Sequence, residues 1–123
     1  MKKITTLAAG IVTSMFLATA AAAGNCGYQY CWGAVGFGPG GAWGWAADYA
    51  SEQAAWNRVN AECNGSCTQI KTFYNTCGAI AAGYNDGWGW GHAPTKQGAM
   101  NIAMSYCNQY DAGCSIRAWA CSY

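Results

Sequence analysis

The chain has 123 residues, among them eight cysteines, seven tryptophans and one histidine, and its six basic against five acidic residues give a formal net charge of +1. Lys2 and Lys3 supply two of the positive charges; from residue 24 onward four basic residues face five acidic ones, a net of −1. That balance excludes the basic patch that electrostatic binding to nucleic acid or to an anionic membrane surface requires.

The first predicted element is a leader. Lys2 and Lys3 precede a mostly apolar run from Leu7 to about Leu17, and Ala21-Ala22-Ala23 offers a small-residue cleavage site. Residues 1–23 therefore read as a secretory signal peptide. The apolar run is shorter than the roughly 20 residues a spanning helix needs, so no membrane span is expected once the leader is removed. Residues 24–123 are expected to form a single exported domain, periplasmic or secreted.

That domain reads as one unit written twice, over about residues 31–74 and 77–122. Gly33-Ala34-Val35 aligns with Gly78-Ala79-Ile80, Trp43-Gly44-Trp45 with Trp88-Gly89-Trp90, and Cys63 with Cys107. Each unit predicts strand, turn, strand, helix, strand. The first turn is "FGPGGA", built on Pro39; the second is "GYNDGW", where Asp86-Gly87 is a hairpin signal. The helices begin near Ser51 and Thr95, both good N-caps. Ala55, Val59 and Cys63 mark the inward side of the first helix. Ala99, Ile102, Ala103 and Tyr106 form an apolar stripe on the second. The closing strands "CTQIKTF" and "CSIRAW" alternate, placing Ile70 and Ile116 on one face and Lys71, Phe73, Arg117 and Trp119 in part on the other. The expected fold class is α+β: a single disulfide-rich domain of two ββαβ repeats, with a six-stranded antiparallel sheet and two helices packed on one face.

All eight cysteines follow the leader, and an even number in a short exported chain reads as a disulfide framework. The repeat suggests Cys63–Cys67 and Cys107–Cys114 as equivalent staples. Cys77 and Cys121 pair across the sheet, and Cys26–Cys31 is left by elimination. Cys63-x-x-x-Cys67 also has the look of half a metal site, but a lone histidine and an oxidising compartment argue against one, and no metal or cofactor is expected. "NGS" at residues 64–66 reads as the tight loop between Cys63 and Cys67.

With these pieces in place the chain resembles the bacterial "domain of unknown function 4189" family. The resemblance rests on "CWGAVGFG", "GAWGWAAD", "CGAIAAG", "DGWGWGHA" and "CSIRAWACS", and covers about residues 31–122. It implies an exported bacterial domain, found alone or attached to other modules, and brings no catalytic residues.

Catalysis has little to work with. His92 is the only imidazole, has no counterpart in the first unit, and could in principle pair with Ser51, Thr95 or Asp86. The carboxylates Asp48, Glu52, Glu62, Asp86 and Asp111 are scattered; Glu52 suits a helix N-terminus and Asp86 a turn. The aromatics are more suggestive. In a strand, Trp43 and Trp45 share one face and Gly44 takes the other, and Trp88, Gly89 and Trp90 repeat the pattern. Two arrangements are open. Either the glycines admit the helices and the tryptophans lie on the helix-free face, with Lys71, Arg117 and Trp119 near them, or the tryptophans fill the space beneath the helices as core. The first makes Trp43, Trp45, Trp88, Trp90, Lys71, Arg117 and Trp119 candidate ligand-binding residues. The sequence thus points to an exported, non-enzymatic binding module for a protein or cell-envelope glycan. An inhibitor or immunity protein against an exported enzyme, and a small cell-wall hydrolase, are the alternatives.

Overall fold

A computed structural model describes residues 24–123; the leader lies outside the described residues. The order is β1 (Trp32–Gly38), a 3₁₀ turn (Pro39–Gly41), β2 (Ala42–Tyr49), α1 (Glu52–Glu62), β3 (Gln69–Tyr74), β4 (Thr76–Ala82), β5 (Trp88–Ala93), α2 (Lys96–Tyr110) and β6 (Ser115–Ser122). Gly40 and Gly41 carry the first hairpin at φ 72° and 79°, and Asp86 carries the second at φ 64°. Both helices start as their sequences indicate: Ser51 Oγ accepts from the Ala54 amide and Thr95 Oγ1 from the Gly98 amide, each at 3.1 Å.

The α+β class, the antiparallel pairing and the two ββαβ units are as expected, but the two helices, expected together on one face, each cover the outer face of a different sheet. The strands, however, divide between two three-stranded sheets, ordered β2-β1-β3 and β5-β4-β6, where a single six-stranded sheet was expected. The reason lies at the joint between the units. Asn75 alone separates β3 from β4, and its left-handed backbone (φ 52°) turns the chain from one sheet into the other. Asn75 also secures that joint: its Oδ1 accepts from the Cys31 amide at 2.8 Å, and its Nδ2 donates to the Gln29 carbonyl at 3.0 Å.

The sheets pack face to face between the helices. The alternation of β1 sends Val35 and Phe37 inward to meet Ile80, Ala82, Ala118 and Ala120 of the other sheet. Ala34 and Ala46 face the opposite way, against Ala55 and Val59 of α1 and the Cys63 that caps it. Ala79 and Ala81 meet Ala99, Ala103 and Cys107 of α2 in the same manner. Ile102 and Tyr106, expected in the buried stripe of α2, are 38% and 49% exposed. Alanines and a cysteine at the contact bring α2 so close to the sheet that its larger flanking side chains fall outside.

Glycines set both spacings. A Cβ on Gly33 or Gly78 would lie 2.5 or 2.3 Å from the Phe73 ring, so the two equivalent glycines leave the slot that one phenylalanine fills between the sheets.

Four disulfides brace the layers: Cys26–Cys31, Cys63–Cys67, Cys77–Cys121 and Cys107–Cys114. These are the pairs the repeat and elimination suggest. Cys63–Cys67 and Cys107–Cys114 occupy equivalent places. Asn64 (φ 51°) and Gly65 (φ 77°) form the tight loop between the first two. Cys77–Cys121 ties β4 to β6 at a paired position, and at the equivalent position of the first sheet Trp32 stands beside Tyr74, their rings 4.9 Å apart.

Candidate binding clefts at the sheet edges

The Trp-Gly-Trp strands β2 and β5 are edge strands, and in both the glycine faces the helix. A Cβ on Gly44 would meet Glu62 and the Val59 carbonyl of α1 at 3.1 Å; one on Gly89 would meet the Cys107 amide of α2 at 2.4 Å. The tryptophans therefore face away from the helices. That face is not bare, because the second sheet covers much of it. Trp88 and Trp90 are half-buried against the inter-sheet core, whereas Trp43 and Trp45 remain 53% and 46% exposed.

The seven candidate residues sort into two groups. Trp88 and Trp90 form one wall of a cleft of about 680 Å³ that runs along the outer edge of β5. Tyr106 and Tyr110, one turn apart on α2, form the other wall, and Asn85 and Asp86 close one end. Lys71 joins this group from β3, its Nζ 5.1 Å from the Trp88 ring centre. Trp43 and Trp45 line a second cleft of about 570 Å³ with Arg117 and Trp119 of β6.

Trp119 does not share a face with the residues its counterpart Phe73 joins. β6 has a bulge opposite Ile80 and Ala81: Ala118 pairs with Ile80, Ile116 pairs with Ala81, and Arg117 is the extra residue. One inserted residue inverts the phase of the strand beyond it. Trp119 thus pairs with Ala79 on the α2 side, where Lys96 Nζ lies 3.9 Å from its ring centre.

The rim of the β5 cleft is fixed by Asp111 at the end of α2. Its Oδ2 accepts from the Asn85 and Gly87 amides at 2.7 and 2.8 Å, and its Oδ1 from the Ala112 amide at 2.7 Å. The Ala112 amide is the main reason the Asp111 carboxyl sits below the usual carboxylate range; the Asn85 and Gly87 amides add to it, against an opposing desolvation cost. Sequence reasoning missed Tyr106, Tyr110 and Asn85. Their signal was faint: tyrosines four apart on a helix whose inner face is alanine.

No catalytic set assembles among the described residues. His92 is exposed and leans on Trp90, ring centres 5.5 Å apart, while Ser51 and Thr95 serve as helix caps. Glu52 accepts from the Thr72 hydroxyl. Glu62 Oε2 takes Arg58 at 3.1 Å and its Oε1 takes the Trp45 amide at 2.9 Å. Cys26, Cys31 and Asp48 come together, but both sulfurs belong to one disulfide and offer no thiolate to a metal.

Fold and clefts together define a duplicated, disulfide-braced α–β–β–α domain with aromatic sheet edges. The chain belongs to the family described as domain of unknown function (DUF4189), whose model matches residues 32–121. It is similar to the NMR structure of Rv1813c from Mycobacterium tuberculosis, with 27% identity, 74% of each chain covered and a TM-score of 0.56. No curated protein matches the chain. Among the described residues, no helix is long and apolar enough to cross a membrane.

Proposed function

We propose that this chain is an exported, non-enzymatic binding module whose ligand, a protein or a cell-envelope glycan, seats in the cleft along β5. One observation carries the reading. A cleft of about 680 Å³ is walled by two tryptophans and two tyrosines, and its rim is already held in place by Asp111. Rigid aromatic walls beside a few polar groups bind with little ordering cost. Export is supported by the leader-like residues 1–23 and by four disulfides, which persist in oxidising compartments.

The test is a pull-down from a bacterial envelope fraction, using oxidised wild-type protein beside Trp90→Ala and Tyr106→Ala. Partners should be retained by the wild type and lost by both variants while circular dichroism stays unchanged. Equal capture by all three would place the ligand elsewhere and sink the proposal.

A further inference from the structure

Resting on the cleft assigned above, we infer that β5 binds an extended peptide segment of a partner protein by strand addition, and that the matching edge of β2 is closed to such a strand. The two edges begin alike. β2 and β5 meet their central strands in the same register, Val35↔Trp45 and Gly36↔Gly44 against Ile80↔Trp90 and Ala81↔Gly89. In an antiparallel ladder, alternate residues turn both backbone groups away from the neighbouring strand. In β2 the Trp45 amide is one of these, since it donates outward to Glu62. The shared register gives Trp88, Trp90 and His92 the same outward orientation on β5.

The difference is one residue. Glu62 and Tyr106 are equivalent: each precedes one of the two aligned cysteines, Cys63 and Cys107, and each lies against the glycine of its Trp-Gly-Trp strand. Glu62, steadied by Arg58, occupies the outward amide of Trp45 with a carboxylate oxygen. Tyr106 supplies an aromatic wall instead, and the backbone edge at Trp90 faces the cleft.

The shape of that cleft suits a β-strand. Side chains of an added strand alternate in direction, so successive residues would rest on Trp88 and Trp90 and then on Tyr106 and Tyr110. The main chain would pair with the outward groups of β5, as in other cases of strand addition. An antiparallel segment brings its C-terminal half to the turn, where the exposed carboxylate of Asp86 favours a basic side chain. A glycan could use the aromatic walls, but its hydroxyl and amide groups do not alternate as N–H and C=O at the two-residue spacing of the outward groups of β5, about 6.8 Å. The occupant is therefore an extended peptide with apolar residues at alternate positions.

The probe is a phage-displayed library of random dodecapeptides, selected on the oxidised wild-type protein. Enriched peptides should show alternating apolar residues. Binding should slow hydrogen exchange at the Trp88, Trp90 and His92 amides. Tyr106→Glu, which installs the carboxylate found in the first unit, should weaken binding about ten-fold or more, the scale of one or two lost hydrogen bonds. N-methylation of the peptide amides that face β5 should do the same without altering the protein.

Absence of enrichment, undiminished binding by the N-methylated peptides, or protection at Trp43 and Trp45 instead would each overturn the inference. Muropeptides are titrated in parallel. If they perturb Trp88 and Trp90 while peptides do not, strand addition falls and the binding cleft stands. If neither perturbs them, both fall. A protein that self-associates with protection confined to the β5 amides would show that the edge receives a second copy, which also overturns a peptide partner.

Discussion

The two Trp-Gly-Trp strands invite one matched pair of substitutions, Gly44→Ala and Gly89→Ala. A Cβ on Gly89 would stand 2.4 Å from the Cys107 amide, 2.5 Å from the Ala103 carbonyl and 2.7 Å from the Tyr106 Cβ. Carbon contacts become favourable only near ~3.5 Å, so α2 must retreat by about 1 Å. Two of the three obstacles are backbone, and Cys107 is anchored to Cys114. Overpacking of this kind costs ~1–3 kcal/mol, and a rigid obstacle places Gly89→Ala at about 3 kcal/mol. At Gly44 every contact is 3.1 Å, and two of the three belong to the Glu62 side chain. A shift of a few tenths of an ångström relieves these contacts. Alanine also restricts the unfolded chain, a gain of ~0.4–1 kcal/mol where the backbone allows it. The net effect at Gly44 should stay within ~1 kcal/mol of wild type. Thermal and urea melts of the oxidised proteins measure both. With ~4–8 °C lost per kcal/mol in a domain of this size, Gly89→Ala should lower Tm by at least ~10 °C and by clearly more than Gly44→Ala. Equal losses, or a larger loss at Gly44, would refute the claim that close helix approach explains these glycines.

Three further outcomes are expected. Gly78→Ala drives a Cβ into the Phe73 ring and should cost ~1–3 kcal/mol. Adding Phe73→Leu should make the loss smaller than the sum of the single changes by at least ~0.5 kcal/mol, and additive losses in urea melts would show that ring and glycine are not coupled. The Asp111 carboxyl, held by amides, has a folded pKa below its ordinary 3.8. Its contribution is complete above 3.8 and disappears as pH falls through the lower folded value, so the Asn85, Gly87 and Ala112 amide resonances should shift only in that acid window, and a midpoint above 3.8 contradicts the hydrogen-bonded geometry. Replacing Cys77 and Cys121 by serine opens a loop with a sequence separation of 44 and should cost about 4 kcal/mol, against about 2 for the separation of 4 in Cys63–Cys67; equal losses would contradict the loop-entropy account.

Much of the fold was legible because duplication writes each signal twice. The Cys63–Cys67 and Cys107–Cys114 pairs, the helix caps Ser51 and Thr95 and the ββαβ order all follow from aligning one half with the other. The division into two sheets was harder to see. Its sign is that β1 and β4, "WGAVGFG" and "TCGAIAA", lack polar alternation. Strands covered on both faces read this way, and in an antiparallel protein with two helices the second cover is another sheet. The phase of Trp119 was not legible. An alternating pattern carries no mark of the residue that bulges, and only pairing with β4 shows that Arg117 is the extra one. Tyr106 was read as core because its spacing fits an apolar stripe, but the alanines beneath it set α2 too near the sheet for a larger ring to enter.

The two halves share a fold and differ where they meet solvent. A duplicated three-stranded sheet creates edge strands, and exposed edges invite uncontrolled pairing unless something blocks them. Glu62 supplies such a block on β2, and it is well suited to the task. Arg58 holds one carboxylate oxygen and leaves the other for the Trp45 amide. The pair also raises the Arg58 pKa, chiefly through the Glu62 hydrogen bond. At the same helical position, opposite the same glycine, the second unit has Tyr106. A tyrosine leaves the β5 edge unoccupied and adds an aromatic wall to the cleft beside it. The contrast within one chain is what makes the open edge informative, because the closed edge shows that the same fold accommodates the alternative at the cost of a single residue. Trp88 and Trp90, half-buried and held by the inter-sheet core, are also the better anchored of the two tryptophan pairs. A rigid wall, an unpaired strand and a second aromatic wall coincide in the second unit, which is why the proposed site is placed at its Trp-Gly-Trp motif rather than at the first.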